Sequence, residues 1–300
     1  MMTPTLFSVS YAGLWGQHTL DLPAFIRKAA ALGYPAVELM GKRPHLSILD
    51  TDEAALADVR QAAQEADVRV ATVAAYTDFT AGSDHAETPL GEVQVAYVRE
   101  MARMARALGA GIVRIFTGYT TDPAAHGADW NRCVAAVREC AEVAGEFGVV
   151  VGVQNHHDVG VDWRSYVEFL DEVGHANCRA MFDPWAPALH GDDLFECARA
   201  LAPRMVQTTL ADYVRLARYR YVPGLVNYEP LTPVARAVPL GQGFVDLDAF
   251  FAGLKEGGFD GYVAYEMCSP LRGGGSQANL DAAAAASLAV LRELTATDET

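Results

Sequence analysis

The chain has 300 residues, 51% of them hydrophobic, which is enough to bury one large core. Its formal net charge of −15 argues against nucleic acid and anionic membranes as partners, because both call for a concentrated basic face. No run of 18 or more apolar residues offers a membrane span. The N-terminal MMTPTLFSVSYAG lacks a basic region followed by an apolar core, and the five cysteines include no CxxC pair, so a cytoplasmic chain with free thiols is expected.

Strand-length apolar runs alternate with helical stretches from end to end. LFSVS (6–10) precedes LPAFIRKAAALG (22–33), and AVELM (36–40) precedes DEAALADVRQAAQEA (52–66). VRVATVAA (68–75) leads to VQVAYVREMARMARALG (93–109), and GIVRIF (111–116) to WNRCVAAVRECAEVAGEFG (130–148). The second half continues with VVVGVQ (149–154) and WRSYVEFLDEVG (163–174), then CRAMF (178–182) and DDLFECARALA (192–202). RMVQTTL (204–210) with LDAFFAGLKEGG (247–258), and YVAYE (262–266) with LDAAAAASLAVLREL (280–294), complete the series. Eight strands alternating with eight helices predict a parallel sheet. No GxGxxG follows the first strand, and an open doubly wound sheet usually has fewer strands, so the expected fold is a single-domain (β/α)8 TIM barrel over residues 1–300. Glycines at 33, 109, 148, 174 and 257 are expected to end helices, and TATDET (295–300) to fray.

In such a barrel the active site lies at the C-terminal ends of the strands. Four of the runs end in polar residues there, so Gln154, Asp183, Gln207 or Thr209, and Glu266 are expected to converge. His156 shares the side of Gln154 by strand alternation, while His157 faces away. Glu38, Tyr11, Trp15, Tyr76, Asp78, Tyr119 and Trp185 follow or end other strands and are candidates to line a pocket. The connection after the seventh strand is long, rich in Arg, Tyr and Pro, and without clear periodicity. Residues 213–238 are therefore expected to form a lid or an insertion loop, with Arg215, Arg218, Arg220 or Arg236 available to substrate. The glycine-rich CSPLRGGGSQANLD (268–281) is a weaker candidate for phosphate binding, with Arg272 adding charge.

Three segments carry a family resemblance. FDPWAPALHGDD (182–193) is similar to Asp-x-x-His-x-x-x-x-Gly-x-Asp, and PLGQGFVDLDAFFAGLKEGGFDGYVAYE (239–266) to a Leu-Gly-x-Gly stretch running to a terminal Glu. QNHH (154–157) stands where Glu-Asn-His is common. These belong to the sugar phosphate isomerase/epimerase superfamily, the xylose isomerase-like TIM barrels that include tagatose 3-epimerase and inosose dehydratase, which the chain resembles nearly end to end.

The resemblance implies a divalent metal (Mn2+ or Mg2+, or Zn2+) held by Gln154, Asp183, Gln207 and Glu266. Two of these stand where the family has a charged or imidazole ligand, and Ala186 stands where its motif has histidine. It also implies proton abstraction next to a carbonyl, with Glu266 as base and His156 in the place of a second base. His157, Glu38, Trp15, Trp185, Arg215 and Arg272 would then contact a small carbohydrate or a derivative. The implied activity is that of a sugar isomerase or epimerase. A dehydratase-type lyase on a keto-sugar or keto-inositol, and a non-catalytic carbohydrate-binding barrel with a degraded metal site, are the alternatives. Members commonly form dimers or tetramers, so a homo-oligomer is among the expectations. The fold also includes an abasic-site endonuclease with three zinc ions, which this acidic chain with few converging histidines does not match.

Overall fold

The computed structural model describes residues 1–82, 87–120 and 122–296; most of the segment expected to fray, 297–300, lies outside it. β1 (Thr3–Phe7), α1 (Leu22–Leu32), β2 (Ala36–Met40), α2 (Glu53–Glu65), β3 (Arg69–Ala74), α3 (Leu90–Leu108), β4 (Ile112–Ile115) and α4 (His126–Gly145) form the first half. β5 (Val150–Gln154), α5 (Trp163–Val173), β6 (Cys178–Met181), α6 (Trp185–His190), α7 (Leu194–Leu201) and β7 (Gln207–Leu210) follow. A hairpin of β8 (Asp212–Val222) and β9 (Asn227–Val238) precedes α8 (Leu247–Glu256), β10 (Tyr262–Tyr265) and α9 (Gln277–Thr295).

Eight of these strands make one parallel sheet in the order β6-β5-β4-β3-β2-β1-β10-β7. The sheet curls into the expected barrel. Its two edge strands meet through one isolated bridge, Ala180 with Met205, where the Val206 amide donates to the Ala180 carbonyl at 3.0 Å. The apolar runs face inward or pack under the helices, and a continuous buried core joins residues such as Leu6, Val113, Val151, Phe182 and Val263.

Local chemistry sets most element ends. Asp21, Asp52, Asp162, Asp193, Asp246 and Ser276 each accept from a backbone amide two or three residues on, capping their helices. Asp193 and Gly191 of the FDPWAPALHGDD segment are thus structural, the glycine closing α6 in the left-handed region at φ 81°.

The first strand differs from expectation. It ends at Phe7, and Ser8–Tyr11 form a 3-10 turn. The Ser8 hydroxyl accepts from the Met40 amide at 2.8 Å and bonds His45 Nδ1 at 3.0 Å, while Ser10 accepts from the Met267 amide at 2.9 Å. These serines tie the turn to neighbouring strands in place of ladder bonds.

The connection expected to be irregular is a long antiparallel hairpin instead. Asp212 pairs with Val238 at its base and Val222 with Asn227 at its tip. A register shift between Leu216 and Arg218 breaks the two-residue alternation, which is why no period shows in the sequence. Asp212 fixes the base by accepting from the amides of Tyr213 (2.9 Å), Gly243 (2.7 Å) and Val245 (3.2 Å). A Cβ at Gly243 would lie 1.9 Å from Asp212 Oδ1, so this motif glycine is there to let the carboxylate in.

Candidate active site

The strand ends enclose a cavity of about 420 Å3. Val9, Trp15, Lys42 and Tyr76 line one side, and Phe116, Tyr119, His156 and His157 the next. Trp185, Tyr213 and Ala235 of the hairpin base, Glu266, Cys268 and Ser269 complete the wall, and Arg114 reaches it from within β4. The lining is largely aromatic. His157 stacks between Phe116 and Tyr119 at centroid distances of 4.4 and 4.0 Å, and Trp185 packs on Tyr213 at 5.1 Å.

Arg114 organises the interior, although in the sequence it is a single charge within the apolar run GIVRIF. It is 2% exposed. Nη1 donates to Gln154 Oε1 at 2.9 Å and Nη2 to the Ala75 carbonyl at 3.2 Å, while Nε has no partner. Phe116 and Tyr76 flank its guanidinium at 4.2 and 4.7 Å. The available signal was a charge in mid-strand, which is costly to bury without a purpose.

Three carboxyl groups share this interior. Burial pushes Glu38 up to about 8, with Arg114 pulling it down and Glu266 pushing it up. Glu266 is raised to about 7 by burial, again against Arg114. Asp183 is raised to about 6 by burial, against its bonds from Gln154 and the Trp185 amide. Glu266 is the one carboxylate on the cavity wall among the described residues. Cys268 Sγ donates to Glu266 Oε1 at 3.4 Å, and Tyr213 Oη bonds the same sulfur at 2.7 Å.

The side chains named as metal ligands are already engaged. Gln154 accepts from Arg114 and donates to Asp183 Oδ2 at 2.9 Å. Asp183 Oδ1 accepts from the Trp185 amide at 3.0 Å, capping the turn into α6. Gln207 opens β7 rather than closing it, and its amide bonds Thr72 at 2.6 Å and Glu38 at 2.6 Å. Thr209, the other residue offered there, is buried with its hydroxyl unpartnered. Neither Gln154, Asp183 nor Gln207 lines the cavity. Among the described residues no group of three His, Cys, Asp or Glu side chains could hold a metal ion. With a guanidinium bonded to the amide oxygen meant for the ion, this donor set does not fit a divalent cation.

Both histidines reach the cavity, contrary to the expected division between them. β5 stops at Gln154, so strand alternation does not extend to 156 and 157. Desolvation and Arg114 lower His156 to about 4, although the residue is partly open to solvent, and burial with the neighbouring His156 ring holds His157 down to about 3. At neutral pH both are uncharged and weak bases beside Glu266.

Of the remaining expectations, Trp15, Trp185, Tyr76 and Tyr119 line the cavity. Glu38 lies deeper, fully buried with Oε1 unpartnered. Arg215 sits over the Phe244 ring at 4.5 Å, and neither it nor Arg218, Arg220 or Arg236 lines the cavity; Arg220 pairs with Glu229 near the hairpin tip. Arg272 is exposed and away from the cavity. Its glycine loop packs on the first βα loop instead: a Cβ at Gly275 would lie 2.2 Å from the Gly16 carbonyl oxygen. Among the described residues, no helix is long and apolar enough to cross a membrane.

A family profile described as xylose isomerase-like TIM barrel matches residues 26–294. No curated protein sequence matches the chain. Among solved structures, D-psicose 3-epimerase from Clostridium cellulolyticum H10, crystallised with D-tagatose, is similar with a TM-score of 0.73 at 17% identity over 99% of this chain and 100% of that one. A probable 3-DHS dehydratase from Bacillus anthracis gives 0.71 at 16% identity over 97% and 98%. D-allulose 3-epimerase from a Methylomonas species gives 0.70 at 18% over 98% of each chain.

Proposed function

This chain belongs to the xylose isomerase-like TIM barrel family, and from that premise we propose that it is an enzyme that removes a proton from carbon next to a carbonyl in a sugar or sugar-derived substrate. The observation that carries the reading is Glu266. It ends the last barrel strand, opens onto an aromatic-walled cavity of metabolite size, and is steadied by the Cys268 thiol. Its carboxyl is held near neutrality, where a general base works best.

In the step itself, the C–H bond breaks, the proton passes to the Glu266 carboxylate, and the electron pair moves onto the carbonyl oxygen. When the hydroxyl proton on the deprotonated carbon shifts to the new alkoxide, return of the Glu266 proton to the neighbouring carbon leaves the carbonyl on the first carbon and completes an isomerisation. If instead the electron pair returns to re-form the carbonyl, a Cα=Cβ bond forms as the Cβ–O bond breaks, and the Glu266 proton leaves with the β-hydroxyl as water, which completes a dehydration. One feature weighs against a two-base epimerisation and leaves both single-base outcomes open to the site: Gln154, which by resemblance stands where the family has a second glutamate, is fully engaged and cannot take a proton. Aromatic faces suit the flat underside of a ring or an enediol.

The test is solvent deuterium exchange into ketoses, keto-inositols and oxidised sugars. Glu266→Gln should lower exchange by ~10²–10⁴-fold, the usual cost of losing a positioned general base. Undiminished exchange would pass the base role to His156, and no exchange by the unaltered protein with any of the panel would favour a carbohydrate-binding barrel.

A further inference from the structure

We infer that the cation of this site is built into the chain: Arg114 and Lys42 together receive a carboxylate carried by the substrate. The inference deepens the proposed function and rests on the cavity being the active site.

Both cations border the same cavity. In a chain with 38 acidic and 23 basic side chains, neither has a carboxylate within ion-pair distance among the described residues. Arg114 is 2% exposed and bonds only neutral oxygens, with Nε unpartnered. Lys42 is half-buried, with its ammonium 3.7 Å from the Tyr76 ring centroid, and the same ring lies 4.7 Å from the Arg114 guanidinium. Tyr76 thus holds two like charges on one ring. Burial, and then Arg114, holds Lys42 below the ordinary lysine range.

Glu38, Glu266 and Asp183 act on Arg114 only through space, so neither cation has a carboxylate in contact, and one carried by a ligand would complete the pairing. The guanidinium's remaining N–H donors and the Lys42 ammonium face one Tyr76 ring, and a carboxylate answers both charges at once. The aromatic wall then faces the substrate's carbon skeleton. A keto acid fits these requirements, and a neutral ketose leaves both charges unanswered.

The experiment is titration of the full-length protein in EDTA, read by calorimetry and by the fluorescence of Trp15 and Trp185. 2-Ketogluconate is the acidic probe and D-fructose the neutral one. The acid should bind about 10–100-fold more tightly, the range expected for hydrogen bonds to a charged group. Arg114→Met should erase that preference, with Arg114→Lys recovering part of it. Lys42→Met, on the cavity wall, should reduce it severalfold and covers the case in which Arg114→Met does not fold. Gln154→Glu offers Arg114 an internal carboxylate and should also weaken the acid.

Equal binding of the two probes overturns the inference, as does an acid preference untouched in Lys42→Met and Arg114→Lys. Mn2+ binding to the unaltered protein with tighter fructose binding in its presence overturns it as well. Acid binding without any deuterium exchange leaves it standing and counts against the proposed reaction alone.

Discussion

Arginine serves opposite ends in two regions of this molecule. Inside the barrel a single guanidinium, Arg114, lies in mid-strand with three raised carboxyl groups around it and no ion pair. On the hairpin, Arg215, Arg218 and Arg220 stand in solvent, and the pairing of Arg220 with Glu229 stays exposed. The dense cluster looks more functional in the sequence, yet density in a surface element says little about reach into a site. One charge in an apolar strand says more, because desolvation makes it expensive and only a specific use repays the cost.

The largest expected contrast between these regions is in stability. Arg114→Met removes the positive charge that the buried carboxyls lean on and leaves Gln154 Oε1 and the Ala75 carbonyl without a donor. Urea unfolding should show a loss of ~1–3 kcal/mol, the cost of leaving buried acceptors unsatisfied. A loss below 1 kcal/mol would mean that the interior tolerates its charges unaided, and the contrast with the hairpin would collapse.

The interior should also set the pH dependence. Glu38, Glu266 and Asp183, raised to about 8, 7 and 6, keep protons in the folded chain that the unfolded chain has given up. Their contribution is fully present below the ordinary carboxylate range and is lost as pH rises through 6 to 8. His45 and His157, lowered to about 4 and 3 mainly by burial, act in the opposite sense. The unfolded chain binds protons below 6.5 that the folded chain refuses, so their stability is lost on acidification towards 4. The two sets oppose each other between about 4.5 and 6.5. Unfolding free energy should therefore fall from pH 6.5 to 8 and fall again below about 4.5. Glu38→Gln should flatten the alkaline limb; an unchanged limb would assign it to other groups.

The smallest effect belongs to the hairpin. Arg220→Gln should change unfolding free energy by ~0–1 kcal/mol, as exposed pairs do. Losing deuterium exchange in this variant would give the hairpin arginines the role in the site that their positions do not suggest.

The barrel was legible because each strand is an apolar run bounded by glycines and capping residues, which are local signals. The motif positions were legible too, and two of them have structural roles: Gly191 and Asp193 end one helix and begin the next. What the sequence concealed is which neighbour each polar side chain would choose. Gln154 was readable as a strand-end amide, but its partner comes from β4, where Arg114 pairs in register with Gly152 two residues below it. The resemblance puts Gln207 or Thr209 at the rim, in the place of the family's histidine, yet β7 begins at Gln207 and continues to Leu210. Lys42, Cys268 and Ser269 sit just past strand ends, in loops whose paths depend on contacts distant in sequence.

The single bridge between β6 and β7 gives the barrel an expansion joint. Every other neighbouring pair of strands is fastened by a ladder of three or more residue pairs, so parting these two breaks the fewest backbone bonds. Trp185 follows β6 and Tyr213 follows β7, and their rings meet across this line at the cavity wall. A slight separation of the two strands would slide one aromatic face off the other and widen the mouth on that side alone, leaving Arg114, held by β3 and β5, at rest.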